Sequence, residues 1–311
     1  MKLFLTGGSG FLGTRLLEKL TSATDAPQIR ALVRSEKAKQ NIAHLPVQFV
    51  DGALDNIADW EHHLDGVDAV VHAAAPIEFW GPWEYFDQHI ARATEQLLHA
   101  AARRGVKRFV YISSESVLQA ADPLLDVAED HPYPAEPNSY YGKAKMLAEQ
   151  AIRAFETDMT CIILRPTYIY EPGVQTIKDL AQRVRDSKFV WVDHGQTVIE
   201  SVHVQNVVHA ITLALTQGEH KGIYWVTDGR PRPAKEFLTP LLELEGVRPR
   251  EKSMPSTLVN AAASLIEGVW RLGKFRSHPP VTRFEVSFLA MPRRYDLSKS
   301  RRELGYQPQI W

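Results

Sequence analysis

Only one of the 311 residues is a cysteine, Cys161, so the chain cannot brace itself with a disulfide. Cys161 sits in the apolar run 160–164 and reads as a core thiol, which fits a reducing cytoplasm. An excess of either charge is also missing. Thirty-six lysines and arginines stand against 37 aspartates and glutamates, for a net charge of −1. Such a balance gives no overall field to gather nucleic acid or anionic lipid. The basic groups Arg103-Arg104, Lys107-Arg108, Arg293-Arg294 and Arg301-Arg302 therefore read as solvated faces. Long apolar runs are lacking, and none reaches the ~18 residues of a membrane span. The opening MKLFLTGGSGFLG is no secretory leader, because its short apolar stretch runs straight into glycines. Twelve histidines include His62-His63 but no His-Glu-x-x-His and no Cys/His cluster, so no metal is expected. Repeats and low-complexity tracts are absent too.

What is present is ordinary globular composition, 44% hydrophobic and 23% charged. Short apolar runs at 2–6, 29–33, 47–50, 69–72, 109–113 and 160–164 read as strands. Helical spacing fills 13–20, 85–104 and 140–155 between them. The alternation predicts an α/β fold, a Rossmann-type doubly wound parallel sheet covered on both faces. After Arg165-Pro166 the rhythm breaks into turns such as Glu171-Pro172-Gly173 and Asp193-His194-Gly195. Residues 1–166 are thus expected to form a dinucleotide-binding domain. Residues 167–311 are expected to form mainly a smaller substrate lobe, interleaved with the sheet.

Residues 6–13 read TGGSGFLG, between an expected strand and an expected helix. There Gly7 would make the sharp turn, Gly10 would admit a pyrophosphate and Gly13 would let helix pack on strand. Ser9, Phe11 and Leu12 complete this expected cofactor turn at a helix N-terminus. At the end of the second strand an acid would bind the ribose hydroxyls, whereas an arginine suits a 2′-phosphate. The chain has Arg34 there, followed by Lys37 and Lys39, and no carboxylate occupies the ribose position. NADP(H) is therefore favoured over NAD(H).

Tyr141 has a lysine four residues later, Lys145, a spacing that puts both on one helix face. With TGGSGFLG before it and YISS at residues 111–114, this pair resembles the extended short-chain dehydrogenase/reductase superfamily, closest to its 3β-hydroxysteroid dehydrogenase-like branch. The resemblance implies a catalytic triad of Ser114, Tyr141 and Lys145, with Ser113 a structural hydroxyl. It implies an adenine contact at Asp51-Gly52, although the order is reversed here. It implies that Ala73, Ala74 and Ala75 border the ribose, and that Pro166 and Tyr168 border the nicotinamide within Arg165–Gly173. Ile90 stands where the family often has asparagine, four residues before Thr94. Tyr141 would act as general acid/base. A free tyrosine, with a pKa of about 10, is expected to be pulled down by the nearby ammonium and an oxidised nicotinamide.

The expected activity is hydride transfer between a hydrophobic alcohol and its ketone or aldehyde. The aromatic loop 76–86, with Phe79, Trp80, Trp83, Tyr85 and Phe86, reads as a greasy wall, to which Tyr168, Tyr170 and Trp191 can add. Residues 258–272 form an apolar helical stretch that reads as a substrate lid or a membrane-surface contact. A homodimer is expected from the resemblance alone. Two other functions compete. A nucleotide-sugar epimerase or dehydratase would want polar and basic groups for a diphosphate. A non-enzymatic NADP-binding regulator would commonly lose the tyrosine and lysine retained here.

Overall fold

The computed structural model describes residues 1–76, 80–120, 122–273, 275 and 277–310. Strands β1 (Lys2–Thr6), β2 (Gln28–Val33), β3 (Gln48–Asp51), β4 (Ala69–His72) and β5 (Arg108–Ile112) fall close to the runs read from sequence. Helices α1 (Phe11–Thr21) and α2 (Glu36–Ile42) link the first three strands. Helix α3 (Ala93–Arg103) is led in by a short helical turn, Trp83–Phe86, and a π-helical turn, Asp87–Arg92. Helix α4 (Tyr140–Ala154) follows β5 and returns the chain to β6 (Thr160–Pro166). Then come α5 (Gln175–Arg185), α6 (Val204–Ala214), β7 (Gly222–Val226), α7 (Ala234–Leu244), α8 (Ser256–Leu272) and α9 (Arg283–Ala290).

The seven strands form one sheet in the order β7-β6-β5-β4-β1-β2-β3, with every pair parallel. Alternating side chains of each strand feed two cores. Leu3, Leu5, Ala31 and Val110 pack against Leu16 and Leu17 of α1 and Ile211 of α6. Phe4, Val70, Phe109 and Cys161 pack against Leu97 of α3 and Ile152 of α4. The strands are apolar throughout because both faces are covered.

The sheet's seventh strand was not legible. Residues 222–226 lie in the turn-rich stretch and read as lobe, yet Gly222 pairs with Ile162 and Val226 with Pro166. Beyond residue 166 the chain returns through α6 and β7 to the sheet. The lobe has its own core around Tyr170, Ile177, Trp191, Phe237 and Leu241.

Candidate active site

Strand order reverses between β1 and β4, which opens a crevice beyond their C-terminal ends. Gly7 follows β1 with φ +77°, a conformation that glycine adopts without steric cost. A Cβ there would come within 2.7 Å of the Ala74 nitrogen, so the turn lies directly on the stretch after β4. A Cβ on Gly13 would come 2.1 Å from the Gly7 carbonyl oxygen, so α1 rests on the same turn. Gly10 stands at the start of α1 with no side-chain cap, which leaves the first-turn amides suited to an anion. Ser9 and Leu12 are half-buried and Phe11 is exposed, while Ala73, Ala74 and Ala75 are half-buried across the crevice. The expected pyrophosphate and ribose residues are thus brought together, and they fit a dinucleotide.

Arg34 is exposed directly after β2. Its neighbour Val33 pairs with Asp51 across the β2–β3 ladder. The Asp51 carboxylate is engaged by Lys39 at 2.8 Å in an exposed ion pair. A Cβ on Gly52 would fall 2.3 Å from the Trp60 ring, which itself stacks on Phe4. That glycine therefore makes room for a buried tryptophan, a demand the sequence pattern did not carry.

Helix α4 begins at Ser139, whose side chain accepts from the Gly142 amide at 3.0 Å. Tyr141 lies one turn before Lys145 and is close enough to Ser114, just beyond the end of β5, for that hydroxyl to act on its phenol. The Ser114 oxygen also accepts from the Ser116 amide at 3.2 Å and its hydroxyl at 3.0 Å. Lys145 Nζ donates to the Ile112 carbonyl at 2.6 Å and lies 5.9 Å from the Tyr141 ring centroid and 4.7 Å from that of Tyr111. The three expected catalytic side chains are therefore gathered at one place.

Their electrostatics differ from the expected pattern. Burial pushes the Tyr141 phenol up to about 12, and its hydrogen bond with Ser114 offsets only part of that. Burial also pushes Lys145 down to about 7, against the upward pull of Glu149. For both groups burial is the largest cause of the shift, and for the phenol it runs opposite to the lowering expected beside an ammonium and an oxidised nicotinamide.

Several supporting residues escaped the sequence reading. Glu149, buried one turn beyond Lys145, accepts from Arg165 Nη2 at 2.6 Å and Nε at 3.0 Å. It also accepts from the Ser113 hydroxyl and from the Tyr133 hydroxyl at 2.7 Å. Its spacing of four from Lys145 was the available signal. Glu115, next to Ser114, is buried and pushed up by burial; it accepts from the Tyr295 hydroxyl at 2.6 Å and pairs with Arg293 at 3.4 Å. His72 at the end of β4 lies between Thr6 (2.7 Å) and Thr94 (3.1 Å), and burial pushes it down to about 3. Thr94 in turn donates to the Ile90 carbonyl at 2.6 Å, so Ile90 enters this chain through its backbone.

On the substrate side, Pro166 is buried at the end of β6. Tyr168 is half-buried, with its hydroxyl on Thr176 at 2.7 Å and its ring against Phe288. Tyr170 and Trp191 are buried in the lobe core, packed on Phe237 and Phe189, so they form no part of a substrate wall. Ile77, Glu78 and Phe79 of the aromatic loop lie outside the described residues. The rest of that loop does border the site. Trp83 packs edge-on to Tyr140 at 5.8 Å, and Phe86 is buried against Ala144 of α4. A cavity of about 670 Å³ lies beside Tyr140, bounded by Ser139, Asn260, Arg271, Arg283 and Met291. Helix α8 leaves Leu258, Leu265, Val269 and Leu272 exposed. Among the described residues no helix is long and apolar enough to cross a membrane.

Residues 3–227 match the NAD dependent epimerase/dehydratase family. The chain is 34% identical to the 4-hydroxy-2-methyl-3-oxo-4-farnesyl-3,4-dihydroquinoline-1-oxide ketoreductase of Stigmatella aurantiaca, over 100% of this chain and 93% of that protein. It is 29% identical to the 3 beta-hydroxysteroid dehydrogenase/Delta 5→4-isomerase of Mycobacterium tuberculosis, over 99% of this chain and 86% of the relative. Among solved structures, DesIV, a dTDP-glucose 4,6-dehydratase of Streptomyces venezuelae with NAD bound, superimposes with a TM-score of 0.78. That match covers 100% of this chain and 93% of the other at 24% identity, a likeness of fold alone.

Proposed function

The chain belongs to the NAD dependent epimerase/dehydratase family, in the extended short-chain dehydrogenase/reductase group, and on that premise we propose that it interconverts a hydrophobic alcohol and its ketone or aldehyde with a nicotinamide cofactor. The observation that carries this reading is Tyr141 against Ser114, with Lys145 one turn further along the same helix and Ala75, the residue after Ala74, packed in the same cluster as Tyr141. The names of the two sequence relatives, a ketoreductase and a hydroxysteroid dehydrogenase, support it.

A bound nicotinamide dinucleotide would supply or accept the hydride. Gly7, Ser9, Gly10, Phe11, Leu12 and Gly13 would hold its pyrophosphate, and Ala73, Ala74 and Ala75 its ribose. Asp51 and Gly52 would border the adenine, and Pro166 and Tyr168 the nicotinamide. Arg34 stands where an acidic residue would bind the ribose hydroxyls, and so favours NADP(H). Ser114 would hold the substrate oxygen. Lys145 would hydrogen-bond the nicotinamide ribose. With its phenol at about 12, Tyr141 keeps its proton near neutral pH. It is therefore suited to protonating the alkoxide that forms as a carbonyl is reduced. The reading includes a cytoplasmic homodimer, with α8 available for contact with a membrane surface.

The test follows NADPH and NADH oxidation across a panel of hydrophobic ketones and aldehydes, with UDP-sugars alongside. Ketone-dependent consumption, faster with NADPH, is the expected outcome. Stoichiometric NAD in the purified protein together with UDP-sugar turnover would replace this reading with an epimerase.

A further inference from the structure

The cavity beside Tyr140 is walled by α8 and α9 and carries three charged side chains whose partners can be followed one by one. Glu136 is neutralised by Lys143 at 3.0 Å. Arg283 is neutralised by Glu267, whose two oxygens accept from the Arg283 amide at 2.6 Å and Nε at 3.0 Å. Arg271 is placed differently. Glu267 is 3.9 Å from its Nη2, beyond hydrogen-bond reach, and that carboxylate is already engaged by Arg283. The guanidinium instead lies 5.3 Å from the Tyr140 ring centroid and 5.7 Å from that of Trp80. Two aromatic rings thus hold a planar cation at the cavity wall, and one of them, Tyr140, is the residue before the proposed proton donor. Its side chain is half exposed, so its donors are open to a ligand.

The remaining wall mixes apolar Ala120, Pro123, Ala290, Met291 and Pro292 with uncharged polar Asn138, Ser139, Asn260 and Ser287. A single available fork in such surroundings suits one small anion on an apolar body. A diphosphate would need more cationic partners. Guanidinium matches a carboxylate in a planar, bidentate way. We infer that Arg271 is a specificity-determining residue that binds a carboxylate carried by the hydrophobic ketone substrate. The inference rests on the oxidoreductase reading and names the substrate class within it: apolar oxo acids rather than neutral ketones.

The experiment compares kcat/KM for oxododecanoic acids, with the ketone at the third, fifth or seventh carbon, against their methyl esters. The position series finds the spacing between carbonyl and carboxylate. The acid at the best spacing should be preferred over its ester by about tenfold or more, as for a hydrogen bond to a charged group. In Arg271→Met that ratio should collapse toward one, chiefly through KM. Arg271→Lys, which keeps the charge but not the fork, should retain an intermediate ratio. Because the ratio divides out any general loss in a variant, partial misfolding does not hide the result. A wild type that treats acids and esters alike, or an Arg271→Met enzyme that keeps the preference, overturns the inference and leaves the oxidoreductase reading intact. If the wild type reduces neither acid nor ester nor any neutral ketone, the functional reading itself fails and the inference fails with it.

Discussion

Helices α4 and α8 border the same cavity and handle charge in opposite ways. Helix α4 turns Lys145 and Glu149 into the protein, where a backbone carbonyl and Arg165 receive them. Helix α8 buries Glu267 against the neighbouring α9 residue Arg283, and its outer face carries Leu258, Leu265, Val269 and Leu272 in place of charge. The first arrangement costs desolvation, which pushes the phenol up and the lysine down. The second leaves the folded chain little invested in its outer face. On the proposed reading, chemistry would belong to α4 and recognition to α8, the first internally compensated in charge and the second more exposed.

Substitutions on each wall sharpen that contrast. The largest effect is expected from Tyr141→Phe, which removes the proton donor and should lower kcat by ~10²–10⁴-fold while cofactor binding, followed by fluorescence titration, persists. Full turnover in this variant would move the chemistry away from α4. Next comes Glu149→Ala, which strands a buried guanidinium. Loss of one partner from a buried ion pair should cost about 3–5 kcal/mol in urea unfolding. A cost under about 1 kcal/mol, as for an exposed pair, would show that α4 is not held by this pair.

A smaller effect should appear as pH dependence. Lys145 titrates near 7 when folded and near 10.5 when free, so between those values the unfolded chain binds the extra proton. Stability should therefore rise with pH across that window from this group. Tyr141, raised to about 12 from 10, works in reverse and should erode stability only above pH 10. Subtracting the unfolding curve of Lys145→Met from that of the wild type between pH 7 and 10 isolates the rising part; a flat difference would contradict it. The smallest change is expected on the opposite wall. Leu265 is 73% exposed, so Leu265→Ser should alter thermal unfolding by no more than about 0.5 kcal/mol. A larger loss would mean that the face is covered in solution.

The two walls also differ in how far they could be read from sequence. Tyr141 and Lys145 were legible because helical spacing of four is a local property, a spacing that Glu149 shares although it escaped the sequence reading. Arg271 carries no such signal, since it acquires its meaning from Trp80 and Tyr140, each distant along the chain. Likewise Tyr170 and Trp191 have the composition of a greasy wall but are spent on the lobe core.

By itself the sequence determined the six leading strands, the glycine turn after β1 and the face shared by the tyrosine and lysine. Each is written in short-range periodicity or in a few adjacent residues. Only the tertiary structure decided that residues 222–226 complete the sheet, that Gly52 yields space to Trp60, and that Glu115 meets Arg293. It also decided that burial, rather than the neighbouring ammonium, sets the state of Tyr141. Those outcomes depend on which distant segments meet and on how much water they exclude, quantities that no local pattern encodes.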